Sequence, residues 1–179
     1  MSIDTLVKLI TNLLTSVTTG SKDNLKTRPS PLLDNSPKLI DNGQYFLWDK
    51  GQVFKVSAHF STKELSCHCS YPECVKQKIS KDLIQRIENV REEVAQPLIV
   101  TSAFRCPAWQ AHLAATGVNT VVAKMSQHEL GNAVDILPKD GLNIRTKFQD
   151  ICAKQFQAIG LSDKFLHVDT RPQYIRWEY

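Results

Sequence analysis

Asp135 sits inside a short apolar run, Ala133-Val134-Asp135-Ile136-Leu137, and follows the stretch Ser126-Gln127-His128-Glu129-Leu130-Gly131-Asn132. An ionised carboxylate among strand residues costs several kcal/mol to bury unless a cation, a metal or several donors meet it. Further on, Phe165-Leu166-His167-Val168-Asp169 again places a polar, metal-competent side chain in an apolar strand. Two histidines and one carboxylate form the protein half of an open zinc site, in which water takes the fourth position. His128, Asp135 and His167 are therefore read as ligands of one Zn²⁺. Such an ion lowers the pKa of its bound water to roughly 7, making hydroxide available for hydrolysis at neutral pH. A base serving that water must lie within hydrogen-bond reach. Asp169 shares a strand face with His167, because side chains alternate, and is the first candidate. Ser126 and Gln127 are read as shaping the turn around His128, orienting its ring and flanking a substrate there.

Leu98-Ile99-Val100-Thr101-Ser102 reads as a buried strand, and Arg105 stands just past its end. Nothing local in the sequence neutralises this guanidinium. It is expected to hold a terminal carboxylate or to steady a tetrahedral oxyanion.

Ser126-x-His128-x-x-Gly131-x-Ala133-x-Asp135, the later His167-x-Asp169 and the earlier Ser102-Ala103-Phe104-Arg105-Cys106-Pro107 occur in one order along the chain. This set resembles the zinc D-Ala-D-Ala carboxypeptidases and phage endolysin-like peptidases of family M15, over about residues 59–171. The resemblance implies an α+β fold of the D-Ala-D-Ala carboxypeptidase or hedgehog-like kind, with a small antiparallel sheet and packed helices. It implies Zn²⁺ as cofactor and the stem peptides of bacterial peptidoglycan as substrate, in a phage lysin or a wall-degrading part of a virion. The alternative is a tail or baseplate structural component that keeps the fold with weak or no activity. The arginine of the motif corresponds to Arg105. Asp163 becomes a second candidate base, since some relatives carry an acidic residue ahead of the last histidine. The sequence departs from the family in two places. Lys164 stands where a Glu-x-x-His pattern would put its carboxylate, and Gly117 is the only glycine in the 116–124 loop, where relatives often have two.

Five cysteines make an odd set, and three of them crowd into Cys67-His68-Cys69-Ser70-Tyr71-Pro72-Glu73-Cys74. With Cys106 they are expected to form either a structural metal site or disulfides, and the spacing leaves both open.

The elements that must position these residues follow from periodicity and punctuation. Residues 44–48 and 52–56 are expected to form a hairpin across Asp49-Lys50-Gly51. Ser61 and Glu64 make a capping box. Ser80 caps a core helix to about Ala95 with Leu83, Ile84, Ile87, Val90 and Val94 inward. Pro107 opens a helix through Ala115. Asn143 caps a helix with Ile144, Phe148, Ile151, Cys152, Phe156 and Ile159 on its core face and Gly160 just past its end. The aromatic tail 174–179 is expected to add an edge strand.

Ahead of this domain, residues 1–42 are read as an amphipathic helix followed by a Pro-rich arm, with the peptidase-like domain spanning 43–179. Ile3, Leu6, Val7, Ile10, Leu13, Leu14 and Val17 recur at helical spacing, and residues 18–42 carry Pro29, Pro31 and Pro37. The segment is read either as a tether that docks on phage tail or other virion proteins or, equally, as an arm that packs back on its own domain. Asp4 and Lys8 interrupt what a signal peptide would keep apolar, and no stretch approaches a membrane span. The expected location is thus a virion or a host cell envelope. A net charge of +4 without a concentrated basic stripe argues against nucleic acid and suits approach to an anionic wall.

Overall fold

The computed structural model describes residues 36–116 and 126–179. The amphipathic start, most of the Pro-rich arm and nearly all of the 116–124 loop lie outside the described residues.

Two sheets organise the domain. A three-stranded sheet runs β1 (Ile40–Asp41), β2 (Tyr45–Asp49), β3 (Lys76–Ser80), with both pairings antiparallel. The five-stranded sheet is built from β4 (Leu98–Ser102), β5 (Ala133–Pro138), β6 (Ala158–Leu161), β7 (Leu166–Asp169) and β8 (Ile175–Glu178). Its spatial order is β4-β5-β7-β6-β8, antiparallel except for the parallel β6–β8 pair. The α+β architecture of the sequence reading is present.

β1 starts inside the arm expected to end at residue 42, so Ile40 and Asp41 belong to the sheet. The hairpin expected across Asp49-Lys50-Gly51 does not form. β2 pairs instead with β1 and β3, and residues 52–56 contribute only the bridge Lys55–Ser61. The turn that wins is Asp41-Asn42-Gly43-Gln44. There the Asp41 carboxylate accepts the Gly43 N–H, and the Asn42 side chain accepts those of Gln44 and Tyr45. Such side-chain turns satisfy backbone donors locally.

The helices fall largely where capping chemistry puts them. Glu64 accepts the Ser61 N–H at 2.7 Å at the start of α1 (Thr62–Leu65), closing the capping box. Ser80 Oγ caps α2 (Lys81–Val94), which buries Leu83, Ile84, Ile87 and Val90. Pro107 opens α3 (Pro107–Ala115), and α4 (Gln127–Leu130) is one turn long. These faces meet one core that includes Leu65, Ile79, Ile136, Phe148, Phe156, Leu166 and Val168. Among the described residues no helix is long and apolar enough to cross a membrane.

The helix expected from Asn143 to Ile159 is shorter. Asn143 does cap a π-helical turn (Ile144–Phe148) that continues into α5 (Gln149–Ala153), but Ile159 and Gly160 lie in β6. Gly160 is therefore no helix terminator. A Cβ there would stand 2.4 Å from Cε2 of Trp177, so the missing side chain lets the indole of β8 lie flat on β6. Gly160→Ala is expected to cost about 1–3 kcal/mol through overpacking. A lower denaturant midpoint with altered tryptophan emission would show it.

Candidate metal centre and its surroundings

His128 is delivered by the short helix α4. Gly131 ends that helix with φ of +74°, and a Cβ there would meet the Lys78 carbonyl oxygen at 2.8 Å. Only glycine accepts both the left-handed backbone and the close approach. The turn drops the chain straight into β5. His128 Nδ1 donates to the Ala103 carbonyl at 2.6 Å, which leaves Nε2 with its lone pair facing inward.

β5 and β7 supply the other two groups. In their antiparallel ladder Asp135 lies directly opposite His167, which sets both side chains on the same face. His167 Nε2 faces Asp169 Oδ2 at 3.3 Å and Nδ1 points back into the site. Ser102 also pairs with Asp135, next to a bulge in β4 between Val100 and Ser102. Bulges re-aim side chains at strand ends.

Three electron-pair donors consequently converge. His128 Nε2 lies 3.1 Å from His167 Nδ1 and 3.2 Å from Asp135 Oδ1, and His167 Nδ1 lies 2.8 Å from that oxygen. Tetrahedral zinc with bonds of about 2.0–2.1 Å separates its ligand atoms by roughly 3.4 Å; the three donors lie closer together than that, and the donor set suits such an ion once they move slightly apart. All three side chains are buried, Asp135 to 2% exposure. Burial alone would push the Asp135 carboxyl up, but the two imidazoles hold it well below the usual carboxylate range. Burial depresses His128. It also opposes charge on His167, where hydrogen bonds to Asp135 and Asp169 prevail and raise the value.

The remaining expected residues divide. Arg105 reaches the cluster, though not as an unneutralised cation. Its Nη2 donates to Asp135 Oδ2 at 2.5 Å and its Nε to Ser102 Oγ at 2.8 Å, while its backbone N–H donates to the His128 carbonyl. Asp169 also reaches the cluster, but from behind. Fully buried, it is clamped by Arg171 Nε and Nη2 at 2.9 and 2.6 Å, so it orients His167 rather than facing an attacking water. Asp163 does not join them. Its carboxylate is 81% exposed and paired with Arg145 at 2.7 Å. Ser126 is buried as the N-cap of α4, and the Gln127 side chain accepts from Asn132. The acceptor that fixes the His128 ring is the Ala103 carbonyl rather than either of them.

β8 builds a wall that the sequence reading missed. The Trp177 ring centroid lies 5.2 Å from that of His167, and Tyr179 lies 6.4 Å away. Strand alternation puts Trp177 and Tyr179 on one face, which was the available signal. Partial burial of its ring, aided by the Asp135 charge, pushes the phenol of the 47%-exposed Tyr179 up to about 12, so it keeps its proton.

The family description Peptidase M15 matches residues 58–169, more than half of the chain and the whole of this cluster. The chain belongs to the peptidase M15 family. Comparisons with curated proteins and with solved structures found no match. In this M15 peptidase, Asp169 sits behind His167, between that ring and Arg171. Burial alone would raise its carboxyl, but His167 and Arg171 hold it at about 2, below the ordinary aspartate value of about 3.9. A depressed carboxyl contributes stability above the ordinary value and loses it as pH falls through the folded one. Asp169→Asn should therefore flatten the acid limb of the metal-free protein's stability between about pH 5 and pH 2. Loss of the ring's acceptor should also weaken metal affinity by about 10–100-fold. Acid titration by circular dichroism and metal-chelator competition read the two effects.

Proposed function

We propose that this M15 peptidase is a zinc enzyme that hydrolyses peptide bonds of bacterial peptidoglycan, as a phage lysin or a wall-degrading virion component. The observation that carries the reading is the convergence of His128 Nε2, Asp135 Oδ1 and His167 Nδ1, with each imidazole's other nitrogen held by a fixed acceptor. Zinc held there would supply a hydroxide at neutral pH and polarise the scissile carbonyl. The chain's own groups do the rest. Ala103 and Asp169 fix the two tautomers. Arg105 pairs with Asp135 Oδ2 and would offer its remaining donors to a substrate carboxylate. Trp177 and Tyr179 flank one side of the site, and the protonated phenol of the half-exposed Tyr179 would be the donor to the departing amine or the oxyanion.

Tyr179→Phe is expected to lower kcat by about 10²-fold with metal content unchanged. Equal kcat for the two proteins would remove the phenol from the chemistry. The peptidoglycan assignment draws on the resemblance of the motif set to wall-cleaving peptidases and on a net charge of +4 that suits an anionic wall.

A second reading, a virion structural component with little activity, is favoured by two observations. Lys164 replaces the carboxylate of a Glu-x-x-His pattern, and Asp163 is turned to Arg145. In that case the segment ahead of β1 would serve for docking. Digestion of purified peptidoglycan by metal-stripped and zinc-reloaded protein separates the readings. New free amines only after reloading support the enzyme, and zinc uptake without new amines supports the scaffold.

A further inference from the structure

Cys67, Cys69, Cys74 and Cys106 gather away from the trio just described. All four are buried, none is in a disulfide, and their sulfurs lie within 4.8 Å of one another. Tetrahedral zinc with Zn–S bonds of about 2.3 Å separates its sulfurs by roughly 3.8 Å, and the Cys69–Cys106 pair stands at 3.6 Å. A disulfide would need a bond of about 2.05 Å.

The hydrogen bonding points the same way. Every one of the four sulfurs faces an N–H donor. The Cys106 N–H reaches Cys67 Sγ at 3.4 Å, Lys50 Nζ reaches Cys69 Sγ at 3.3 Å, Gln77 Nε2 reaches Cys74 Sγ at 3.3 Å, and the Trp109 N–H reaches Cys106 Sγ at 3.4 Å. Thiolates bound to a metal are strong acceptors that need such partners, whereas disulfide sulfurs do not. Lys50 adds the one formal positive charge among these donors, against an anionic tetrathiolate. The fifth cysteine, Cys152, packs in the main core, which accounts for the odd number.

We propose that these four cysteines form a second metal site, a closed tetrathiolate that holds Zn²⁺ for structure. Binding takes up one Zn²⁺ and releases the four thiol protons to solvent, with no change of oxidation state. The ion ties the 67–74 loop to Cys106, and with Phe104, Tyr71 and Trp109 it forms a small separate core. Cys106 adjoins Arg105, whose guanidinium holds Asp135. The second ion thus anchors the backbone from which the Arg105–Asp135 pair is presented.

The test is Co²⁺ exchange into the full chain, read by absorption. Only sulfur ligands give the intense thiolate-to-cobalt charge-transfer band, and the His128–Asp135–His167 trio contains none. The band is expected in the wild-type chain and in His128→Ala, displaced by added Zn²⁺, and weakened in Cys74→Ser, where three thiolates remain, together with a drop in zinc affinity. A folded wild-type chain with no band overturns the proposal, as does an intact mass carrying the deficit of two disulfides. Should Cys74→Ser fail to fold, the wild-type band and its displacement still decide. Because His128→Ala keeps the band, failure of the peptidase reading and failure of this site remain separable.

Discussion

His128→Ala is expected to reduce peptide hydrolysis by at least about a thousandfold, which corresponds to some 4 kcal/mol of transition-state stabilisation. The alanine removes one of three converging donors and leaves the Ala103 carbonyl without its imidazole partner. The fold should survive, because the core around Ile136, Leu166 and Val168 is untouched. The measurement is release of free amines from peptidoglycan at matched protein concentration, alongside zinc content. Full hydrolysis by the alanine variant would sink the enzymatic reading. Loss of zinc without any wild-type hydrolysis to lose would favour the scaffold.

Arg105→Ala should act on stability as strongly as on activity. Asp135 is buried, and removing one partner of a buried ion pair costs up to about 3–5 kcal/mol; the lower end is expected here, because the His128 and His167 rings still face the carboxylate. For a domain of this size that lowers Tm by roughly 10 °C in the metal-free protein. A divalent cation at the trio would compensate Asp135 in its place, so added zinc should recover part of the loss. Arg105→Lys should restore little, since one ammonium cannot serve Asp135 Oδ2 and Ser102 Oγ in the fork geometry of a guanidinium. Differential scanning calorimetry with and without zinc checks both statements. An unchanged Tm in the metal-free alanine variant would mean that the Arg105–Asp135 contact contributes nothing.

Much of this architecture is legible in the residue order. Asp135 within an apolar run signals an unmet charge, and His167 signals the strand that meets it. Ser61, Ser80, Pro107 and Asn143 mark helix starts because the unsatisfied N–H groups of a first turn are a local matter. Long-range competition is less visible. Asp49-Lys50-Gly51 carries good turn chemistry, yet β2 finds better partners in β1 and in β3, far along the chain. Gly160 looks like a helix terminator until the indole of Trp177 is known to need its space. Asp163 and Asp169 are equally acidic in sequence. Only the register of β7 puts one behind His167, and only the surface pairing with Arg145 keeps the other away. The Ala103 carbonyl, a backbone group, has no sequence signature at all.

The direct pairing of Asp135 with His167 makes the spacing of two donors a property of the β-ladder rather than of rotamers. A one-residue slip of either strand would turn its donor to the opposite side of the sheet. Assembly of the centre and zipping of β5 onto β7 are therefore the same event. The pocket cannot be loosened by degrees, and adaptation to new substrates would have to come from the aromatic rim while the donor atoms stay where hydrogen bonding between strands has set them.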